Sequence, residues 1–125
     1  MEKIDIIEDN IRDVKVLKET ECQVTIHISF TNYTSQVTWL RIWKSTYLFT
    51  KECSKKSQLL HFYNIAFYPK YTFVQGGQTI QFTLIFSALP KSCKRFNLVE
   101  QIPEPGGFVF NNIVRNSTDV YYLTL

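Results

Sequence analysis

The clearest pattern in the chain is alternation. Ile80, Phe82, Leu84 and Phe86 fall at every second position, separated by Gln81, Thr83 and Ile85. Val24, Ile26, Ile28 and Phe30 do the same with Thr25, His27 and Ser29 between them. A period of two places successive side chains on opposite faces, so both runs predict half-buried β-strands. Further strands are predicted at Val37 to Trp43, at Thr46 to Phe49, at Leu59 to Tyr68 with a bend near Asn64, at Arg95 to Glu100, around Phe108-Val-Phe110 and at Val120 to Leu125. Turn chemistry separates them: Thr31-Asn-Tyr-Thr-Ser35, Gln75-Gly-Gly-Gln78, the Pro90 loop and Ile102-Pro-Glu-Pro-Gly-Gly107. Lys51 to Ser57 reads as a polar connection. Eight or so short strands at this spacing imply a β-sandwich, with a barrel as the alternative.

The N-terminus is ambiguous. Ile4, Ile7, Ile11 and Val14 have helical spacing, whereas Ile4/Ile6 and Val14/Val16 suit strands. A short helix before the sandwich and an N-terminal arm over residues 1–13 are both compatible with this. No repeat, linker or second domain interrupts residues 1–125, which read as one domain.

Composition points the same way. Of 125 residues, 52 are Val, Ile, Thr, Phe, Tyr or Trp and only two are Ala. β-branched and aromatic side chains fit a pleated sheet, and the best helix former is scarce. No window offers the ~18 consecutive apolar residues needed to span a bilayer, so membrane insertion is not expected. The first residues carry charges where a leader needs an apolar core. As written, the sequence reads as cytoplasmic, or as exported with a leader removed.

Charge is uneven. Residues 1–21 carry seven acids and four bases, and residues 22–125 carry four acids and ten bases. The bases gather in two segments expected to be loops, Lys51/Lys55/Lys56 and Lys91/Lys94/Arg95. Without interleaved aromatic rings they read as solvated tips rather than a nucleic-acid platform, and no nucleic acid is expected as partner.

A resemblance emerges from the longer succession. It comprises Val24-Thr-Ile-His-Ile-Ser-Phe30, Trp39, Ile42, Thr46-Tyr-Leu48, Asn64-Ile65, Pro69, Gly76-Gly-Gln-Thr-Ile-Gln-Phe-Thr-Leu-Ile-Phe86, Leu89-Pro90, Phe96-Asn-Leu-Val-Glu100, Phe108 and Ile113. Over about residues 24–113 the chain resembles small immunoglobulin-like β-sandwich domains of uncharacterised bacterial proteins. The resemblance implies an all-β fold, a single immunoglobulin-like antiparallel sandwich of about seven to nine strands. It implies no catalytic residue, because its motifs are structural. The antibody-type pattern is not met, since Cys93 lies in a loop with no Tyr two residues before it.

Catalytic constellations are absent, so no enzyme, cofactor or metal is expected. His27 and His61 sit within strand patterns, and neither double glycine is followed by the Lys-Ser/Thr of a phosphate loop. Cys22, Cys53 and Cys93 show no metal spacing and read as reduced thiols, with one bridge and a free thiol as the alternative. Cys53 and Cys93 lie among lysines that favour thiolate, which makes a small thiol-dependent enzyme or redox protein the alternative function. Glu100 and Glu104 read as surface acids. Asn32-Tyr-Thr34 and Asn116-Ser-Thr118 match the glycosylation sequon, a match that arises readily by chance in a chain rich in Asn and Thr.

One constellation carries a functional reading. On a strand, Trp39, Arg41 and Trp43 share one face while Leu40 and Ile42 share the other. With the tryptophans outward, the face is an aromatic–cation–aromatic ladder; with them inward, Trp39 is core. The inward reading is preferred for Trp39, leaving Arg41 and Trp43, with Tyr63, Tyr68 and Tyr71, as surface candidates. The expected function is a non-enzymatic binding module for a protein, peptide or glycan, using Arg41, Trp43, Tyr63 and Tyr68. An unpaired edge strand leaves homodimerisation open.

Overall fold

The computed structural model describes residues 22–51 and 53–125. The expected N-terminal arm, its helix and the strand-like pair Val14/Val16 lie outside the described residues.

The described chain is all-β. Its nine strands run β1 Val24–Thr31, β2 Thr38–Leu40, β3 Thr46–Thr50, β4 Cys53–Tyr63, β5 Thr72–Val74, β6 Thr79–Phe86, β7 Arg95–Glu100, β8 Val109–Val114 and β9 Val120–Thr124. Seven form one curled sheet in the order β8-β7-β3-β4-β6-β1-β9, and β2 and β5 form a separate ribbon. All pairings are antiparallel except that of β1 with β9. Among the described residues no helix is long and apolar enough to cross a membrane.

Alternation places the core as expected. Val24, Ile26 and Ile28 of β1 face inward beside Phe82, Leu84 and Phe86 of β6, with Ile26 opposite Leu84. Leu48 of β3, Phe96 and Leu98 of β7, Ile42, Ile65, Leu89 and Tyr121 complete the cluster. Tyr121 of β9 packs edge-on against Phe96 of β7, 5.1 Å between ring centres, so the sheet folds back over its own face.

The curl is made by β4. Its first half pairs with β3 and its second half with β6, with pairing irregularities between Leu48 and Thr50 and between Leu59 and His61. At the change-over Ser57 Oγ donates to the Ser87 carbonyl, the Ser87 amide to Gln58 O at 2.9 Å and the Gln58 amide to Ser87 Oγ at 2.9 Å. A strand that changes partners in this way turns the corner between two layers of a sandwich. The polar connection expected over Lys51 to Ser57 is therefore mostly strand, and Lys55 and Lys56 lie in β4 rather than in a loop. Polar side chains concealed it, because this half of β4 is held in the sheet by its backbone pairing with β3 and shows no apolar alternation.

The strand expected over Leu59 to Tyr68 ends instead at Tyr63, just before Asn64, which adopts φ 63°. Asn tolerates this left-handed conformation better than most residues, so it can end a strand sharply. The strand expected over Val37 to Trp43 shortens to Thr38–Leu40, followed by an isolated bridge from Ile42 to Phe67.

The cysteines also differ from expectation. Cys93 is fully buried and disulfide-bonded, and Cys22 is a free thiol. Cys93 thus offers no thiol for nucleophilic chemistry. Spacing along the chain concealed this, since a disulfide requires only that two Cβ atoms meet in space.

Candidate functional site

The site begins with the side chains that alternation assigns to opposite faces. Ile42 is fully buried and Leu40 half-buried, while Trp39 is exposed and Arg41 and Trp43 are half-buried beside it. Trp39 is 56% exposed, so the core placement preferred from sequence is corrected. Turning Trp39 inward would have carried Arg41 onto the same apolar face, and burying an unpaired charge costs more than exposing one indole.

The Ile42 backbone sets the alignment. Its amide donates to Ala66 O at 2.8 Å and its carbonyl accepts from the Tyr68 amide at 2.9 Å. Arg41 and Trp43 are thereby held beside Tyr68 and the loop that follows it. Trp43 stacks on Tyr68 with ring centres 3.8 Å apart, and Arg41 Cζ lies 5.4, 4.7 and 4.3 Å from the centres of Trp43, Tyr68 and Tyr71. All three are within cation–π reach. Arg41 also donates to Pro69 O at 3.4 Å and pairs with Glu104 at 3.5 Å.

The aromatic surface continues onto β5. Trp39 stands opposite Phe73 across the ribbon, and Phe73 is 61% exposed. Tyr71 meets Trp39 edge-on at 85°, 5.6 Å between centres, and meets Phe73 at 36° and 6.2 Å. Three of the four candidate binding residues, Arg41, Trp43 and Tyr68, therefore come together. Tyr63 does not. It is 53% exposed on β4 opposite Thr83 of β6, outside the ring contacts that join the others. Sequence reasoning missed Phe73, for which Thr72-Phe-Val74 carries the alternation of a strand too short to stand out.

Beside the ribbon lies a cavity of about 460 Å³, between Trp39–Trp43 on one side and Ile102–Phe108 on the other. Glu100 faces into it. Phe96, Leu98 and Glu100 share the inward face of β7, and Glu100 is only 7% exposed, which corrects its reading as a surface acid. The period-two run Phe96-Asn-Leu-Val-Glu100 already carried that information. Burial pushes the Glu100 carboxyl above the ordinary carboxylate range, against the pull of hydrogen bonds from the Phe108 and Trp43 backbones and of the Arg41 charge. Among the described residues Glu100 Oε2 meets no hydrogen-bond partner. The opposite wall lies close because Gly107 has no side chain: a Cβ there would come within 2.4 Å of Glu100 O.

A second polar cluster, at Arg115 and Asp119, is saturated by its own contacts. Arg115 Nε and Nη2 each donate to an Asp119 oxygen at 2.9 Å, and Nη1 donates to the Pro90 and Cys93 carbonyls at 2.9 Å. Tyr121 Oη donates to Asp119 Oδ1 at 2.8 Å and Cys22 Sγ to Oδ2 at 3.3 Å. Burial works to raise the Asp119 pKa, but these hydrogen bonds prevail and hold it below the ordinary carboxylate range. The Cys22 thiol is pushed up by burial and by Asp119, which keeps it from the thiolate form. The arrangement tethers the last turns of the chain and offers no poised nucleophile.

The two sequon asparagines serve as turn formers. Asn32 Oδ1 accepts from the Thr34 amide at 3.0 Å and from Thr34 Oγ1 at 2.7 Å. Asn116 Oδ1 accepts from the Thr118 amide at 3.1 Å and from Thr118 Oγ1 at 3.2 Å. Both are Asx turns, so the repeated Asn-x-Thr spacing has a local structural cause.

No protein-family model, curated protein or solved structure matches the chain.

Proposed function

We propose that this domain is a non-enzymatic interaction module that docks a protein or peptide on the aromatic face of the β2–β5 ribbon. The observation that carries the reading is the cross-strand pair Trp39 and Phe73, both more than half exposed. Large rings left in water gain on being covered, at roughly 25 cal/mol per Å² of apolar surface. Trp, Tyr and Arg are also the residue types that concentrate binding energy at interfaces.

Ring geometry favours a protein over a glycan. A sugar stacks its C–H face on a flat ring or on a row of coplanar rings. Here Tyr71 stands edge-on to Trp39 and tilted to Phe73, which makes a ridged surface suited to interdigitating side chains. Arg41, enclosed by three rings and paired with Glu104, stiffens the ridge. Rigid aromatic anchors lose little conformational entropy on binding, which favours affinity.

The test is parallel selection with the full chain against a displayed peptide library and a glycan array. The expected result is peptide enrichment that Trp39→Ala and Phe73→Ala both abolish. Glycan hits that depend on Trp39, or peptide hits indifferent to both substitutions, would overturn the proposal.

A further inference from the structure

We propose that Glu100 is the floor of a subsite for a primary ammonium group on an apolar stem, carried as a lysine side chain by the partner. The subsite stands on its own geometry; only the assignment of its ligand to a partner lysine rests on the interaction-module reading above.

The first observation is the unsatisfied oxygen. Glu100 is more than nine-tenths buried, faces the 460 Å³ cavity and leaves Oε2 without a hydrogen-bond partner among the described residues. Buried polar atoms are nearly always bonded, and each one left unbonded costs ~1–3 kcal/mol. A cavity of this size lies within the range of small-ligand pockets, about 300–1,000 Å³.

The second observation is charge. Among the described residues, the charged side chains lining the cavity are Arg41, Glu100 and Glu104. Arg41 is committed to Glu104, to Pro69 O and to its three rings. Among the described residues one carboxylate therefore stays uncompensated, and the complement is a monocation bearing N–H donors. An ammonium group presents a compact point charge to a single acceptor, which suits Glu100, whose carboxylate already accepts from the Phe108 and Trp43 backbones and keeps Oε2 open, whereas a guanidinium is best matched by two free oxygens. A hard metal ion would want six or more oxygen ligands, and the lining supplies two carboxylates.

The third observation is the wall. Leu40, Ile65, Phe82, Ile102 and Phe108 surround the carboxylate with apolar surface. Such a surface accepts a chain of methylene groups while the charged head reaches Oε2, as lysine stems do elsewhere.

The experiment is an NMR titration of the full chain with n-butylammonium chloride, compared with n-butanol and with tetramethylammonium chloride. The expected result is saturable butylammonium binding that shifts Glu100, Ile102 and Phe108. Butanol lacks the charge and tetramethylammonium lacks the N–H donor, so each should bind at least about tenfold more weakly. Glu100→Gln should lose the same factor, and Phe73→Ala, outside the cavity lining, should leave butylammonium binding intact while abolishing peptide docking. Equal binding of the three probes to the wild type would overturn the subsite, as would undiminished binding to a folded Glu100→Gln variant. If Glu100→Gln does not fold, the three probes on the wild type decide alone. Loss of peptide docking without loss of butylammonium binding, or the reverse, separates the two proposals.

Discussion

Trp39 faces Phe73 directly across a two-stranded ribbon, and neither ring is covered. One residue away from the arginine between the tryptophans, Ile42 is fully buried. Neighbouring residues of one segment thus take opposite tasks, one displaying a surface and the other anchoring it.

Substitutions should separate those tasks. Trp39→Ala removes a cross-strand contact of the ~0.2–1 kcal/mol kind, so the thermal midpoint should barely move. Ile42→Ala leaves a core cavity and should cost about 2–5 kcal/mol. Thermal unfolding of both variants checks this, and a large loss for Trp39→Ala would place the indole in the core after all.

Glu100 should make the protein less stable as pH rises. Its folded pKa is raised, chiefly by burial, so the folded state binds the proton more tightly than the unfolded chain. Stability then falls from the ordinary carboxylate value upward and levels off above the folded pKa. Glu100→Gln cannot ionise and should flatten this fall. Urea unfolding from pH 4 to pH 8 measures it, and parallel profiles for wild type and variant would contradict the assignment.

Asp119 should act in the opposite sense and in a lower window. Its folded pKa is depressed, so its contribution is fully present above the ordinary carboxylate value and is lost as pH falls through the folded pKa. Asp119→Ala strands the largely buried Arg115 and should cost about 3–5 kcal/mol at pH 7. Tyr121→Phe removes one hydrogen bond to the same carboxylate and should cost about 1 kcal/mol. Chemical denaturation of the two variants should rank them in that order.

Asn32 tests the sequon. It is 2% exposed, and its Nδ2 donates to Gln36 O at 2.7 Å and to Val74 O at 3.0 Å. Asn32→Asp keeps the accepting oxygen of the Asx turn but removes both donors, which should cost ~1–3 kcal/mol. Expression in a glycosylating host should leave Asn32 of the folded chain unmodified, as read by peptide mass spectrometry.

Much of the sheet was legible in advance. The alternating runs of β1 and β6 named Val24, Ile26, Ile28, Phe82, Leu84 and Phe86 as one inward set, because a strand gives its side chains only two directions. The same rule placed Trp39, Arg41 and Trp43 on one face and Leu40 and Ile42 on the other. It carried the position of Glu100 too, two residues beyond Leu98, though an acid at the end of a strand invites a surface reading.

Periodicity states which residues share a face and is silent on which face is inward. That choice belongs to the tertiary structure, where exposing Trp39 costs less than placing Arg41 unpaired in the apolar core. Long-range pairing belongs there as well. Phe73 joins Trp39, and Glu104 joins Arg41, through contacts between segments far apart in the chain. The bond at Cys93 and the change of partners along β4 have the same origin, since each depends on where the curled sheet brings distant backbone together. Local alternation determines strands such as β1 and β6; the closing of one sheet upon itself decides which side chains meet.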